Sequence, residues 1–591
     1  MPRPSSLLLV LAVVGSVAAA PAGPPDGLPA GPPANPVSDG SGPLDTDADL
    51  AAMERFEALI PEHTFLGMVV PLHYDAWPHL DPEARPLRFD GEADSGNYTG
   101  EYLAAQAWRY TQAKAEIAGL TTPSGVVVPK DADAHAFWVA QRDQALARAD
   151  EMVRYYHVLV NIAREWDTQL DPRVDEHKDP DEIGWVDYGG GVIPGEEGLL
   201  MRACTPADPS PSFADVRVNY QGHYRLRGPW RWEDGRDWYC LGGTSRDSYA
   251  GTLFGLSVAL DQFAQDAPEL RDLLAHDLMA MTDYAVKYLW LQPRPHGRLA
   301  NPLFGHNDLD GPVSPLFIQV PLHRLHLLQT ARRAAEVVGD EAAEQRYDLL
   351  WAEEIANTVA TGSLLDSMVI DAAGPHSAYY KYQLHLVSFY NVIRLEPDPV
   401  IREELMRAMG VLDATLTDDG NGFFEAITYG LTGEPQRLDE AVALHREWLD
   451  YYAFHEQAAR AGTVPFVHTG RCGITEDPGE GAPVGQRPLE CVPRDRVDLV
   501  QPLPTSEEVV TPFQPGFEDR LRAKDPLPVG VRRYADFLWQ KDPTIIDGDH
   551  GTAWRGPSID FLVTYWMLRY HSEVDVPDLH PLPAWPGPRF R

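Results

Sequence analysis

Lysine is scarce. Of the 49 basic residues in this 591-residue chain seven are lysine and 42 arginine, and 88 acidic residues outnumber them, for a formal charge of −39. The arginine excess reads first as coding bias and second as a mark of a salty or extracellular habitat. A chain this negative repels phosphate backbones, which argues against nucleic acid as a partner. Long apolar runs are missing after residue 20, so no later segment offers the roughly 18 uninterrupted apolar residues that a membrane helix needs. GxSxG, HExxH, a Walker loop and a GxGxxG opening a Rossmann unit are all absent, which counts against a serine hydrolase, a zincin and a nucleotide enzyme. The four cysteines lack CxxC-like spacing, so the sequence points to no zinc cluster, and neither metal nor cofactor is expected. Strand-like stretches are few, confined to short pieces such as 64–70 and 125–128.

What is present is an ordinary globular composition, 44% apolar and 23% charged, which excludes wholesale disorder and collagen-like or coiled-coil chains. Residues 1–20 carry one cation (Arg3), an apolar run from Leu7 to Val14 and small residues through Ala20. That is the layout of a secretory signal peptide, with cleavage expected after Ala19 or Ala20. The mature protein is expected to be secreted or periplasmic, off the membrane once the signal is removed, and monomeric. Residues 21–45 are almost all Pro, Gly, Ala, Asp and Ser and should form a disordered tether. In an oxidising compartment Cys204, Cys240, Cys472 and Cys491 should form disulfides; of the three pairings, the local one, Cys204–Cys240 with Cys472–Cys491, staples each long irregular segment.

From 46 to 591 the chain reads as one domain. Segments with apolar spacing near 3.6 cover about 47–60, 99–118, 134–166, 246–266, 268–291, 315–338, 340–360, 376–395, 398–414, 437–461, 529–541 and 558–572. In the fourth, Tyr249, Leu253, Leu256, Leu260 and Phe263 form a stripe broad enough to need partners on two sides. Helices without a βαβ rhythm make the protein mainly α. A solenoid should repeat at a fixed period, and none is found. Long insertions at 167–245 and 462–528, the latter with eleven prolines, fit a closed helical toroid whose mouth is built from unequal loops.

The densest polar–aromatic stretch is 228–256. Trp230, Trp232 and Trp238 either stack against sugar rings or pack under a stapled loop. Thr244 is expected as N-cap of the helix that follows, with Asp247 three residues on in an approximate capping box. The helix dipole favours negative charge there, so Asp247 suits an ionised base, nucleophile or hydroxyl-binding carboxylate. A second cluster holds His306, Asn307, Asp308 and Asp310. It is either an ion site or an Asx-rich turn, though Phe317 stands where a calcium loop would close with Glu. Weaker candidates are Asp94 and Tyr98 before a helix, Asn421 and Glu425 in a turn followed by aromatics, the pair His323 and His326, and an acidic loop with Asp547, Asp549 and His550.

Five phrases taken together, NYTGEYLAAQAWRY (97–110), GEEGLLMRA (195–203), GGTSRDSYAGTLFGL (242–256), YADFLWQKDP (534–543) and IDFLVTYWMLRYH (559–571), resemble secreted bacterial six-hairpin (α/α)6 toroid proteins, related in architecture to glycoside hydrolases and polysaccharide lyases. The resemblance covers roughly residues 50–572. It implies a ring of inner and outer helices with a cleft at one end, and cleft positions for Tyr98, Arg246, Asp247 and His306.

Three functions stay open. A glycoside hydrolase would use Asp247 with Asp94, Asp308 or Glu425, two carboxylates flanking the bond, and would bind sugar through Tyr98, Trp230, Trp232, Trp238, Arg246, Tyr249, His306 and Asn307. A polysaccharide lyase would use Tyr98, Tyr249 or His306 as base, with Arg246 neutralising a uronate. A non-catalytic glycan-binding or envelope protein would line its cavity with aromatics. The partner in each case is a carbohydrate.

Overall fold

The computed structural model describes residues 44, 46–75, 83, 85–89, 94–121, 127, 132–165, 196–206, 226–241, 244–287, 290, 306–307, 311–312, 321–358, 379–416, 419–460, 491–493, 521–523 and 554–574. Twelve α-helices lie among these residues: α1 (Asp47–Glu57), α2 (Ser95–Gly119), α3 (Ala132–Asn161), α4 (Arg246–Phe263), α5 (Pro268–Lys287), α6 (Pro321–Val338), α7 (Glu341–Thr358), α8 (Tyr380–Arg394), α9 (Pro399–Leu416), α10 (Gly422–Thr432), α11 (Pro435–Arg460) and α12 (Ile559–Glu573). The protein is mainly α.

Two kinds of helix alternate along the chain. In α4 every residue from Ser248 to Leu260 is buried, and in α12 every residue from Ile559 to Tyr570. Helices apolar or small all round must be enclosed on all sides. By contrast α7 buries only Ala343, Tyr347, Trp351 and Thr358, a narrow stripe with charged residues around it. The packing follows this division. Helix α2 packs on α4, α4 on α6 and α8, α6 on α8, α8 on α10, α10 on α12, and α12 back on α2. The one-faced helices lie against these: α3 on α2 and α5, α5 on α4 and α6, α7 on α6, α9 on α8, α11 on α10 and α12, α1 on α12.

The enclosed helices run in the same direction, because their contacts climb together. Between α2 and α4, Gly100 meets Gly251, and further along the Thr111 hydroxyl donates to Gln262 Oε1 at 2.6 Å. Between α4 and α8, the Asn391 amide donates to the Leu253 carbonyl at 3.1 Å and Arg394 to the Ser257 hydroxyl at 2.8 Å. In the middle, Trp108 of α2 meets Phe254 of α4 and Tyr390 of α8 edge-on, and Tyr570 and His571 of α12 at a tilt. Aromatic contacts of this kind add to the large apolar area each ring buries. Helices α2 and α4 approach most closely through glycine: a Cβ at Gly251 would stand 2.7 Å from the Asn97 carbonyl oxygen, and one at Gly255 would stand 2.7 Å from Gly100 Cα. Only a residue without Cβ permits that approach.

Small sheets decorate the helices. β1 (Thr64–Phe65) and β2 (Met68–Val69) form a hairpin, β12 (Trp554–Arg555), β3 (Leu72–Tyr74) and β4 (Pro86–Phe89) a three-stranded sheet, and β5 (Ala203–Pro206), β7 (Asp237–Leu241) and β6 (Leu226–Arg231) another; β8 (His306–Asn307) pairs with β9 (Gly311–Pro312), and β10 (Cys491–Pro493) with β11 (Leu521–Ala523). Cys204 and Cys240 face each other across β5 and β7 and form a disulfide. The expected Cys472–Cys491 bridge lies outside the described residues, because Cys472 is not among them and only the backbone of Cys491 is.

Two details differ from the sequence expectations. The turn expected around Asn421 opens α10, where the Asn421 side chain accepts from Phe423 N (3.2 Å) and Phe424 N (3.4 Å), and Gly433 closes the helix at φ 66°. Helix α4 is capped by Ser245 rather than Thr244: the Ser245 side chain accepts from Ser248 N, while the Thr244 hydroxyl donates to the Leu200 carbonyl and ties the helix start to the segment before β5. The expected strand at 125–128 is described only at Val127, which makes an isolated bridge to Thr121. The expected helix at 529–541 and the signal segment fall outside the described residues, as do Asp308, Asp310, Asp547, Asp549 and His550. Of the expected tether only Leu44 is described, and there the chain is packed rather than disordered, the side chain buried and the carbonyl accepting from the Tyr565 hydroxyl at 3.4 Å. Among the described residues no helix is long and apolar enough to cross a membrane.

Candidate functional site

The first turns of α2, α4, α8 and α10 meet on one side of the helix bundle. Gly96 sits against Ser248 and Thr252, Asn97 against Gly251, Gln383 against Asn97 and Glu101, and Tyr379, just before α8, stacks on Phe424 of α10 with centroids 5.8 Å apart. Parallel helices beginning at one level aim their unpaired backbone N–H groups and positive dipole ends the same way, a natural environment for hydroxyl and carboxylate oxygens.

Inside this end lies a knot of buried polar side chains. The Gln383 amide donates to Asn97 Oδ1 at 3.3 Å and, more closely, to Glu101 Oε1. All three residues are 0% exposed. Asn97 Nδ2, Glu101 Oε2 and Gln383 Oε1 are buried with no hydrogen-bond partner among the described residues. Burial drives the Glu101 carboxyl well above the ordinary carboxylate range; the Gln383 hydrogen bond opposes the shift, and the charge of Asp560, at the start of α12, adds to it. Burial thus favours the neutral form of the Glu101 carboxyl. It belongs to a set of buried groups that offer one spare donor (Asn97 Nδ2), one spare acceptor (Gln383 Oε1) and one carboxyl able to act as either.

Around the knot stand several residues expected from sequence. Tyr98 lies in the first turn of α2, and Arg246, Asp247 and Tyr249 in the first turn of α4; Tyr98, Arg246 and Tyr249 are buried, and Asp247 is half-buried. Asp94 precedes α2 without capping it, because its carboxylate instead accepts from Arg202 Nη2 at 3.0 Å, beside a hydrogen bond from Ser95 Oγ to the Arg202 carbonyl. The chain leading to the disulfide-linked sheet is thus pinned to the start of α2.

Other expected residues are held by partners of their own away from the knot, Glu425 although it stands in the first turn of α10. Glu425 of α10 turns to Arg437 of α11, whose guanidinium also reaches Asp413 of α9, at 2.6 and 2.5 Å respectively. Burial pushes its carboxyl up to about 7, against the pull of Arg437. Trp230, Trp232 and Trp238 are buried in the hydrophobic core around the β6–β7 hairpin, 7%, 8% and 2% exposed. The Trp238 indole donates to Asp234, and Trp232 stands edge-on to His157 at 5.9 Å. His306 and Asn307 are described only as the backbone of β8. His323 and His326 belong to the packing of α6 on α8: His326 Nδ1 lies 3.1 Å from the Ser388 hydroxyl, and burial pushes the His326 ring down to about 3.

Asn97, Glu101, Gln383 and Asp560 are not among the residues expected from sequence. The signal was present in two of them: Glu101 and Asp560 are lone carboxylates in helical stretches otherwise apolar, aromatic or small. No known protein family, curated protein or solved structure matches the chain.

Proposed function

We propose that the protein is a secreted carbohydrate-active enzyme, a glycoside hydrolase, built as an (α/α)6 toroid and working at the end where its enclosed helices begin. The ring reading is supported by the cyclic order in which α2, α4, α6, α8, α10 and α12 pack, with α12 returning to α2, and by the one-faced helices that lie outside them. A disulfide between Cys204 and Cys240 suits an oxidising compartment.

One observation carries the enzymatic reading: the Glu101 carboxyl is fully buried near the helix starts, hydrogen-bonded by Gln383 at one oxygen and unpartnered at the other among the described residues, with burial and the charge of Asp560 both favouring its neutral form. Glycosidic cleavage needs a carboxyl that still holds its proton and a partner that does not, and two carboxyl groups whose environments push them apart supply that division. In this reading Glu101 is the proton-bearing group. Asp247, half-buried at the positive end of α4, is the carboxylate that meets substrate from the solvent side, while burial, with a smaller contribution from the charge of Asp560, favours the protonated form of Glu101. Asp94 and Glu425 each hold an arginine instead, so they take positioning roles. The buried tryptophans weigh against a binding protein that relies on exposed indoles.

Tyr98 and Arg246, buried in the first turns of α2 and α4, keep lyase chemistry as the second reading. The two reactions leave different products. Incubation of the secreted protein with a panel of neutral and uronate-containing glycans, following new reducing ends and ultraviolet absorbance together, should give reducing ends without absorbance. Reducing ends with matching absorbance would assign the lyase, and neither signal on any glycan would remove both.

A further inference from the structure

A second cluster of chemistry-bearing side chains lies apart from the helix starts, between α3 and α5. His157 of α3 and His276 and Asp277 of α5 each present one ligand atom within 4.8 Å of the others'. His157 and Asp277 are 120 residues apart in sequence, which is why no spacing motif announces the cluster.

The cluster is built in layers. Asp277 forms its floor: the residue is 0% exposed, and its Oδ1 accepts from His157 Nδ1 and from the Asn161 amide, both at 2.8 Å. The Asn161 amide also donates to the His157 carbonyl at 2.9 Å, so side chain and backbone are fixed together. Asp277 Oδ2 and Asn161 Oδ1 are both buried and have no hydrogen-bond partner among the described residues. Two fully buried oxygens left without donors are costly unless something electropositive meets them. Above the floor, His157 and His276 stand edge to face with centroids 5.7 Å apart, Trp232 covers His157 from the β6–β7 hairpin, and Glu197 Oε1 lies 3.0 Å from His276 Nε2. His276 and Glu197 are close to half exposed, so the cluster opens to solvent on that side.

We propose that His157, His276 and Asp277, with Glu197 as the fourth donor, bind a divalent transition-metal ion, Zn2+ by the nature of the donors. Two imidazoles and one or two carboxylates are the nitrogen and oxygen set that zinc takes, whereas calcium and magnesium ask for oxygen alone. In the metal-free site the His157 Nδ1–H is held by Asp277 Oδ1; metal binding would replace that hydrogen bond, the ring releasing the proton and ligating through Nδ1 beside the Asp277 carboxylate. Zinc donors lie roughly 3.3 Å apart around a tetrahedral ion with bonds near 2.0–2.1 Å, so closing the cluster takes about an ångström of side-chain movement. Through Glu197 the ion would fasten the 196–206 segment, and with it the Arg202–Asp94 pair, to the outer helices. The role is structural and is independent of which reaction the helix starts perform.

Zinc chloride titrated into the metal-stripped full-length protein, with calcium chloride as the comparison ion, tests this by calorimetry and thermal unfolding. One zinc per chain should bind with a Kd at or below about 10 µM and raise the melting temperature, and calcium should do neither. His276→Ala alters a half-exposed side chain and should fold; it should weaken zinc binding at least tenfold and abolish the thermal shift, and His157→Gln should do the same. No zinc binding by the wild-type chain, or equal binding by wild type and both variants, would overturn the proposal.

Discussion

Replacing Gly100 by alanine should unfold the protein or cost at least about 3 kcal/mol, the upper range for overpacking a core. The added methyl would stand inside the van der Waals envelope of the Gly251 carbonyl, and 3.1 Å from Thr252 N. Backbone atoms cannot turn aside as a flexible side chain can, so relief requires α2 and α4 to move apart. Both helices are buried on nearly all sides, and their separation would disturb the Trp108 contacts with α8 and α12 as well. Urea unfolding compared with Gly119→Ala, where a methyl meets open space at the end of α2, measures the effect against a matched control. The Gly119 variant should stay within about 1 kcal/mol of wild type. Equal stability of the two variants would contradict the close approach of α2 and α4.

The second large effect is on activity. Asp247→Asn should abolish glycan cleavage while leaving helicity intact, since asparagine keeps the shape of a first-turn side chain and loses only its charge. Glu101→Gln should lower kcat at least 100-fold, within the range that general acids contribute. It should not lower the melting temperature, because the amide replaces a carboxyl whose neutral form burial favours. The two variants should also differ in pH dependence. In the proposed mechanism Glu101 acts with its proton in place, so kcat should fall as pH rises through its raised pKa, and that alkaline limb should vanish from the residual activity of Glu101→Gln. Full activity in Asp247→Asn would remove that residue from the site. A Glu101→Gln enzyme with unchanged kcat and the same alkaline limb would remove Glu101.

Much of the architecture was legible in residue spacing, and the reason is burial. Broad stripes such as Tyr249 to Phe263 and Tyr380 to Ile393 mark helices enclosed on all sides, and the narrow stripe of α7 marks one with a solvent face. Short α10 was missed because its eleven residues give barely three turns of periodicity, although Asn421 and Gly433 are ordinary start and stop signals. The disulfide from Cys204 to Cys240 followed from compartment and proximity in sequence. The site was harder to read. Asp247 stood out because polar and aromatic residues crowd before it, but so did three tryptophans that turn out to be buried packing. Glu101, Gln383 and Asp560 come together only through the meeting of α2, α8 and α12, and no local spacing encodes that. The same holds for His157 and the His276–Asp277 pair.

The place where substrate binds decides between the proposed active end and any other surface. The direct measurement is a crystal structure of the Asp247→Asn protein soaked with an oligosaccharide that the wild type cleaves. A sugar ring seated over the first turns of α2 and α4, within hydrogen-bond reach of residue 247, is the predicted result. Density instead at the β6–β7 hairpin, or on the faces of the outer helices with the helix starts empty, would contradict it.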